Sequence, residues 1–361
     1  MPTLFPVSQL FQITTVFNTW RAAPPVYYLP DTLRDWPWAS AVNPHLDEAH
    51  NESVAWLESF NAFSPEALAA FNKCKFTLFS ALTYPESSYF TFRSICDLMH
   101  LFFALDEFTD DEPLDIVIQR CDATMDAMIH PDAPRPDGES AVGEMARQFW
   151  QRASGGKPMP AGVVQRFHTT WRRYLDSVIV QAERRGQQYI CTPDEYIAAR
   201  RDNIGTAPSF VWIEQSLGLD LPDAVMKHPL IETLHRDVSD MILMDNDMCS
   251  YRKEFLANDC DYNAVTVVTK HLKTDLAGAI QWISDYHDRS VESFMRAREA
   301  IIARAEGTSQ WSEEDYKQVL RYIDGLGLFV RGHDEWNFET RRYFGAKAQE
   351  VKRTRKVVIE P

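Results

Sequence analysis

From Ile95 to Ala104 the chain is almost entirely apolar, and it then runs straight into carboxylates. Five of the seven residues from Asp106 to Glu112 are acidic. A helix this apolar has to be enclosed by other elements. Ending it in a cluster of like charges is costly unless something cationic neutralises them. Asp106 and Asp110 are four residues apart, so on a helix they share one face. Paired carboxylates of this kind are hard oxygen ligands that suit magnesium. Alone, the pattern also fits a solvated helix end, which is what most acidic runs are.

A second segment has the same character. Met241 to Met244 is apolar, and the chain then turns polar through Asp245 to Glu254. Asn246, Ser250 and Glu254 recur every four residues, again on one helical face. They offer an amide oxygen, a hydroxyl and a carboxylate, all oxygen donors for a hard cation. Arg252 and Lys253 stand beside them and are suited to an anion. The alternative is a capped helix of mixed charge; the acidic segment upstream makes a paired metal site the better reading.

The rest of the chain is predicted to be helical. Residues 22–46 carry Pro24, Pro25, Pro30, Pro37 and Pro44 and read as an extended strap. Helical periodicity then covers 46–60, 65–82, 87–110, 114–129, 140–154, 161–188, 193–216, 229–256, 263–272, 275–305, 312–331 and 334–346. Glycine is scarce, at 14 in 361 residues, and neither βαβ alternation, nor an internal repeat, nor a Gly-rich phosphate loop appears. The expected fold class is all-α: a single domain, residues 1–361, with an antiparallel helix bundle around a central apolar cavity. Residues 1–45 form the strap, and the basic 347–361 segment is expected to be a disordered tail.

Composition narrows the partners. A net charge of −15 argues against nucleic-acid binding. The six cysteines show no zinc spacing and read as reduced thiols, consistent with a cytoplasmic protein. No apolar run is long enough to span a bilayer, and the N-terminus lacks the basic start of a secretory signal.

These two motifs together resemble the metal motifs of class I terpene synthases: an aspartate-rich motif, here at Asp106 and Asp110, and an Asn-x-x-x-Ser-x-x-x-Glu motif, here at Asn246, Ser250 and Glu254. Arg342-Tyr343 is similar to that family's Arg-Tyr pair, and Trp336 to its pocket tryptophan. Tyr196, Arg200, Arg201, Gly205 and Pro208 resemble its diphosphate-sensor region. The resemblance spans residues 43–344. The length, the Asp106-Glu107 opening and the Arg341-Arg342-Tyr343-Phe344 ending are most similar to fungal sesquiterpene synthases, and among these to the basidiomycete delta-6-protoilludene synthases.

The resemblance implies a class I terpenoid synthase fold and a magnesium-dependent lyase acting on farnesyl diphosphate. Three Mg2+ ions are expected, with Mn2+ able to substitute, held by Asp106, Asp110, Asn246, Ser250 and Glu254. Lys253, Arg342, Tyr343 and one of Arg200 and Arg201 would bind diphosphate. Arg201 is preferred because Gly205 then lies four residues on. Gly205 and Pro208 should break a helix and turn its carbonyls on the cation. Phe102, Phe103 and Trp336 would face the cation, with Phe92, Met99 and Phe210 as weaker lining candidates. The farnesyl cation would close to a sesquiterpene hydrocarbon, delta-6-protoilludene if 1,11-closure through a humulyl cation is followed. No general base is evident, which leaves diphosphate to take the final proton. Monomer and homodimer stay open.

Two other readings remain at this point. A trans-prenyl chain-elongating synthase shares the fold and first motif but carries a second aspartate-rich motif where this chain has Asn246, Ser250 and Glu254. A catalytically inactive helical binding protein would need the same residues for no chemistry.

Overall fold

In a computed structural model the described residues are 24–110, 112–156, 159–187 and 191–360. Asp111 and the first half of the strap, residues 1–23, lie outside them. The order is β1 (Val26–Tyr28), α1 (Leu46–Ser59), α2 (Pro65–Asn72), α3 (Phe76–Thr83), α4 (Tyr89–Thr109), α5 (Leu114–Ile129), α6 (Ala141–Gly155) and α7 (Ala161–Gln187). There follow α8 (Pro193–Asn203), α9 (Thr206–Leu217), α10 (Asp223–Met226), α11 (Pro229–Ala257), α12 (Ala264–Leu272), α13 (Leu276–Ile302), α14 (Glu313–Glu339), α15 (Ala348–Thr354) and β2 (Lys356–Val358). Among the described residues the fold is all-α apart from one short ribbon.

Local chemistry sets the helix ends. Thr192 and Glu195 form a reciprocal capping box with Pro193 in the first turn of α8. Ser64 and Ser312 cap α2 and α14 through their hydroxyls. Asn258 ends α11 in the left-handed conformation that Asn tolerates. The core is continuous from the strap to the last helix, and along α4 Ile95, Leu98, Leu101, Ala104 and Leu105 are fully buried.

Three helix boundaries differ from expectation. Residues 65–82 split into α2 and α3 because Lys75 takes a left-handed conformation, φ 55°. Residues 193–216 split at Gly205, φ 76°. Conversely, 312–331 and 334–346 are not separate: α14 runs through Gly332 to Glu339. Gly332 is there for contact, because a Cβ would lie 2.4 Å from the Leu82 carbonyl oxygen of α3.

The C-terminal segment corrects the expectation of disorder for residues 347–361. Residues 348–358 form α15 and β2, and β2 pairs antiparallel with β1, Tyr27 opposite Val357. The Arg252 Nε donates to the Val358 carbonyl at 3.0 Å, and Lys347 pairs with Glu360 at 2.6 Å. Strand pairing and these partners supply the order that a basic composition does not suggest. The described part of the strap is held likewise: the Trp36 indole donates to the Gly327 carbonyl, and Arg331 to the Leu33 and Trp38 carbonyls.

Candidate active site

The helices enclose a cleft of about 970 Å³, counted out to its open mouth. The last turns of α4 form one wall, with Phe102, Phe103, Asp106, Thr109 and Asp110 all facing it. Phe102 packs edge-on against Trp171 and Tyr174, at 4.8 and 5.0 Å between ring centroids. Phe103 stacks on Phe76 at 3.7 Å. So both phenylalanines line the cavity, one turn below the acids. Glu107 points to solvent.

The acids on this wall repel each other. Asp110 stands at the rim, open to solvent on one side and crowded by protein on the other. Its pKa is pushed up to about 7, first by desolvation and then by the charge of Asp106. The negative end of the α4 dipole is at the same place. Two arginines cap its carbonyls: Arg185 donates to Thr109 at 2.9 Å, and Arg120 to Phe108.

The opposite wall belongs to α11. Asn246 faces the cleft, while Ser250 is buried behind it. The Asn263 amide donates to Ser250 Oγ at 3.3 Å, to Glu254 Oε2 at 2.8 Å and to the Asp247 carbonyl at 3.0 Å. Asp247, also buried, accepts from the Tyr196 hydroxyl at 2.5 Å, from Arg200 at 3.2 Å and from the Ala264 backbone at 2.9 Å. Burial raises the pKa of both Asp247 and Glu254; Arg200 opposes this at Asp247, and Asp247 adds to it at Glu254.

Arg342 and Tyr343 touch both walls. Arg342 lies 3.4 Å from Asp106 and over the Phe103 ring at 5.1 Å. The Asn246 amide donates to the Tyr343 hydroxyl at 3.0 Å. Trp336 lines the cleft below them, its indole N–H held by the Cys74 carbonyl at 2.9 Å.

The choice of Arg201 over Arg200 is corrected. Arg201 points away, in a two-pronged pair with Asp240 at 2.7 and 2.8 Å, joined by Tyr286. Arg200 lines the cleft, and its second guanidinium nitrogen reaches Asn246 Oδ1 at 3.2 Å. Its Nε is buried and has no partner among the described residues. A helix turns 100° per residue, so neighbouring arginines face different ways, and a four-residue count to Gly205 does not decide between them.

The remaining candidates divide. Gly205 lines the cleft at the break between α8 and α9, close enough to Phe102 that a Cβ would meet its ring at 3.2 Å. Met99 also lines it. Phe92 does not: it packs with Ala49, Ala81 and Cys96 in a separate small cluster. Phe210 stacks on His235 within the core. Lys253 is exposed near the mouth, where its charge lowers the Asp110 pKa.

Sequence reasoning missed several groups. Tyr174, Val178, Gln181 and Arg185 make one wall of the cleft from α7, at spacings of four, three and four. That periodicity was readable, but nothing in it points to a site. Asn263 and Asp247 act through shape, and no spacing rule finds them. His333 also lines the cleft.

The donors fit a divalent cation shared with an anion. Among the described residues no three His, Cys, Asp or Glu side chains converge on one point. Oxygen donors stand instead on two walls, two carboxylates on one and an amide, a hydroxyl and a carboxylate on the other. Magnesium is commonly held this way, by one or two carboxylates plus substrate phosphate oxygens. Arg200, which lines the cleft, and Arg342 add the positive charge that an anion there would pair with.

A family model described as terpene synthase family 2, C-terminal metal binding, matches residues 97–293. A Delta(6)-protoilludene synthase of Stereum hirsutum is 42% identical over 92% of this chain and 88% of its own. The Delta(6)-protoilludene synthase of Armillaria gallica is 38% identical over 92% and 94%. Sesquiterpene synthase 14 of Postia placenta is 38% identical over 94% and 93%. Among solved structures, a-eudesmol synthase superposes with a TM-score of 0.76 at 20% identity, covering 84% of this chain and 97% of that one. Hedycaryol synthase in complex with nerolidol gives 0.72 at 19%, covering 86% and 100%. The solved structures establish the fold.

Proposed function

This chain belongs to the terpene synthase family, and from that premise we propose that it ionises farnesyl diphosphate in a magnesium-dependent step and cyclises the farnesyl cation to a sesquiterpene hydrocarbon. One observation carries the reading. The mouth of an aromatic cleft is lined by Asp106 and Asp110 on one side and by Asn246 on the other, with Ser250 and Glu254 behind Asn246 on the same helix, and Arg342 and Tyr343 contact one side each.

Magnesium, when bound, would supply Lewis-acid charge neutralisation that makes diphosphate a leaving group. Asp106 and Asp110 would hold it from α4, and Asn246, Ser250 and Glu254 from α11; three ions are the expected number. Asn263 orients Ser250 and Glu254 for this, and Asp247 orients Arg200. Arg200, Arg342 and Tyr343 donate to diphosphate, with Lys253 at the rim. Below the mouth, Phe102, Phe103 and Trp336 present ring faces and edges and exclude water. Each face stabilises a cation by about 0.5–2 kcal/mol. The helix break at Gly205 lies against Phe102, where the negative end of α8 would add its dipole.

The product we favour is delta-6-protoilludene, formed by 1,11-closure through a humulyl cation. The support is that relatives carrying that name are about 40% identical over nearly the whole chain. Purified protein given farnesyl diphosphate and Mg2+ is expected to release diphosphate and one dominant C15 hydrocarbon, identified by gas chromatography with mass spectrometry. Release with a different skeleton would overturn the product alone. Longer prenyl diphosphates formed with added isopentenyl diphosphate would indicate chain elongation. No release at all would indicate a binding protein.

A further inference from the structure

Beyond the metal and diphosphate ligands, the cleft holds a basic group that the proposed chemistry has not used. We propose that His333 is the group that takes the proton from the cyclised carbocation, an assignment that rests on the cyclase reading above.

The residue is placed for it. His333 lies on α14 between Phe329 and Trp336, which line the cleft with it at spacings of four and three. Its ring meets Phe79 at 6.0 Å and Trp336 at 6.4 Å. The other titratable groups lining the cleft are poor acceptors for this step. Asp106 and Asp110 are committed to cation binding at the mouth. Arg185, Arg200 and Arg342 have no lone pair to offer, and burial raises the Tyr174 and Tyr343 phenols, which stay protonated.

The imidazole is neutral at pH 7. Burial lowers its pKa to about 4, against the pull of Asp245. The C–H next to a carbocation centre is a far stronger acid than this imidazolium, so transfer is downhill. In the step, a C–H bond next to the cationic carbon breaks. Its electron pair becomes the new C=C bond and its proton bonds to imidazole Nε2, giving an imidazolium and a neutral hydrocarbon. The imidazolium later returns the proton to solvent.

Two features behind the ring support this. Asp245, buried on α11, accepts from Thr32 at 3.1 Å and sits 3.6 Å from the buried His287. Its charge favours the imidazolium once formed. On the other side, His333 Nδ1 lies 3.5 Å from the Asn337 amide, whose Oδ1 is buried with no partner among the described residues. A half-turn of that amide, identical in shape, lets Oδ1 accept the Nδ1 proton. That tautomer leaves the Nε2 lone pair to the cleft.

The test uses His333→Gln and His333→Phe in the full chain, with circular dichroism as the check of folding. Diphosphate release from farnesyl diphosphate and product ratios by gas chromatography are read together. Release should stay within about threefold of the parent, while the share of the main hydrocarbon falls by about tenfold or more, as loss of a positioned base predicts. Other alkenes or alcohols should take its place. An unchanged main product in either folded variant overturns the proposal, and so does a parallel fall in release and product, which would mark a structural role. If both variants fail to fold, the parent decides: 15N-histidine NMR with a prenyl ammonium ion, inorganic diphosphate and Mg2+ should move the His333 Nε2 signal, and no movement overturns the proposal. A parent that releases no diphosphate refutes the cyclase reading instead, and this one with it.

Discussion

The two walls of the mouth carry similar ligands in opposite electrostatic states. On α11, every donor is held. Asn263 bridges Ser250 and Glu254, Asp247 holds Arg200, and Asn246 meets both Arg200 and Tyr343. On α4, the acids sit at the negative end of a helix, with Asp110 protonated more readily than an ordinary carboxylate. One wall is pre-organised by neutral and paired groups. The other keeps two mutually repelling carboxylates that the 3.4 Å contact of Arg342 with Asp106 only partly offsets, which is what gives it affinity for cations. Substitutions on the two walls should therefore fail differently.

The largest effect is expected on the frustrated wall. Asp106→Asn removes a ligand and half of the repelling pair. Turnover should fall by at least about 10³-fold, comparable to losing a principal charge-stabilising group. Folding should not suffer, and the thermal midpoint should hold or rise, because a like charge beside Asp110 is gone. A folded Asp106→Asn protein with parental turnover would remove Asp106 from the metal site.

Next come the adjacent arginines. Arg200→Gln should lower kcat/KM by about 10²-fold, since its guanidinium faces the cleft and the second wall. Arg201→Gln should leave turnover nearly intact but cost about 1–3 kcal/mol of stability, by stranding the buried Asp240. Steady-state kinetics and urea denaturation of both proteins check this. The reverse pattern would restore Arg201 as the diphosphate ligand.

On the pre-organised wall, Asn263→Leu should act through magnesium. Ser250 and Glu254 lose their common donor, and the Mg2+ concentration for half-maximal rate should rise about 10- to 100-fold, the range seen when outer-shell partners are removed. The rate at saturating Mg2+ should fall less. An unchanged magnesium requirement would mean that the wall is held by its own helix and not by Asn263.

Which of these residues could be read from the chain follows the same division. Charge and periodicity are visible in one dimension, so Asp106, Asp110, Asn246, Ser250 and Glu254 stood out by spacing. Groups that act through three-dimensional contact did not. Asn263 precedes α12 as an N-cap, and its bond to Glu254 depends on how the chain turns after Asn258. Arg200 and Arg201 differ only in helix phase. Ending one helix at 331 and starting the next at 334 had a further cost: it cut the row of Phe329, His333 and Trp336 in two and hid the one that is basic. The backbone of Leu82, which is what requires a glycine at 332, is 250 residues away in sequence.

The smallest expected effect is a pH dependence, and it isolates the frustrated wall. Asp110 has a folded pKa of about 7, well above the value of an unfolded aspartate near 3.9. Between those values the folded protein binds more protons than the unfolded chain. Stability from this group is therefore fully present below about pH 4 and is lost as pH rises through about 7. The group is partly open to solvent, so the slope should be shallow. In metal-free buffer, the thermal midpoint of the parent should decline over this window by more than that of Asp110→Asn, whose side chain does not titrate. Added Mg2+ with inorganic diphosphate should reverse the decline, because a bound cation favours the carboxylate and stabilises the fold by mass action. Parallel pH profiles for parent and Asp110→Asn would show that the α4 wall is already neutralised by its arginines, and the contrast between the two walls would disappear.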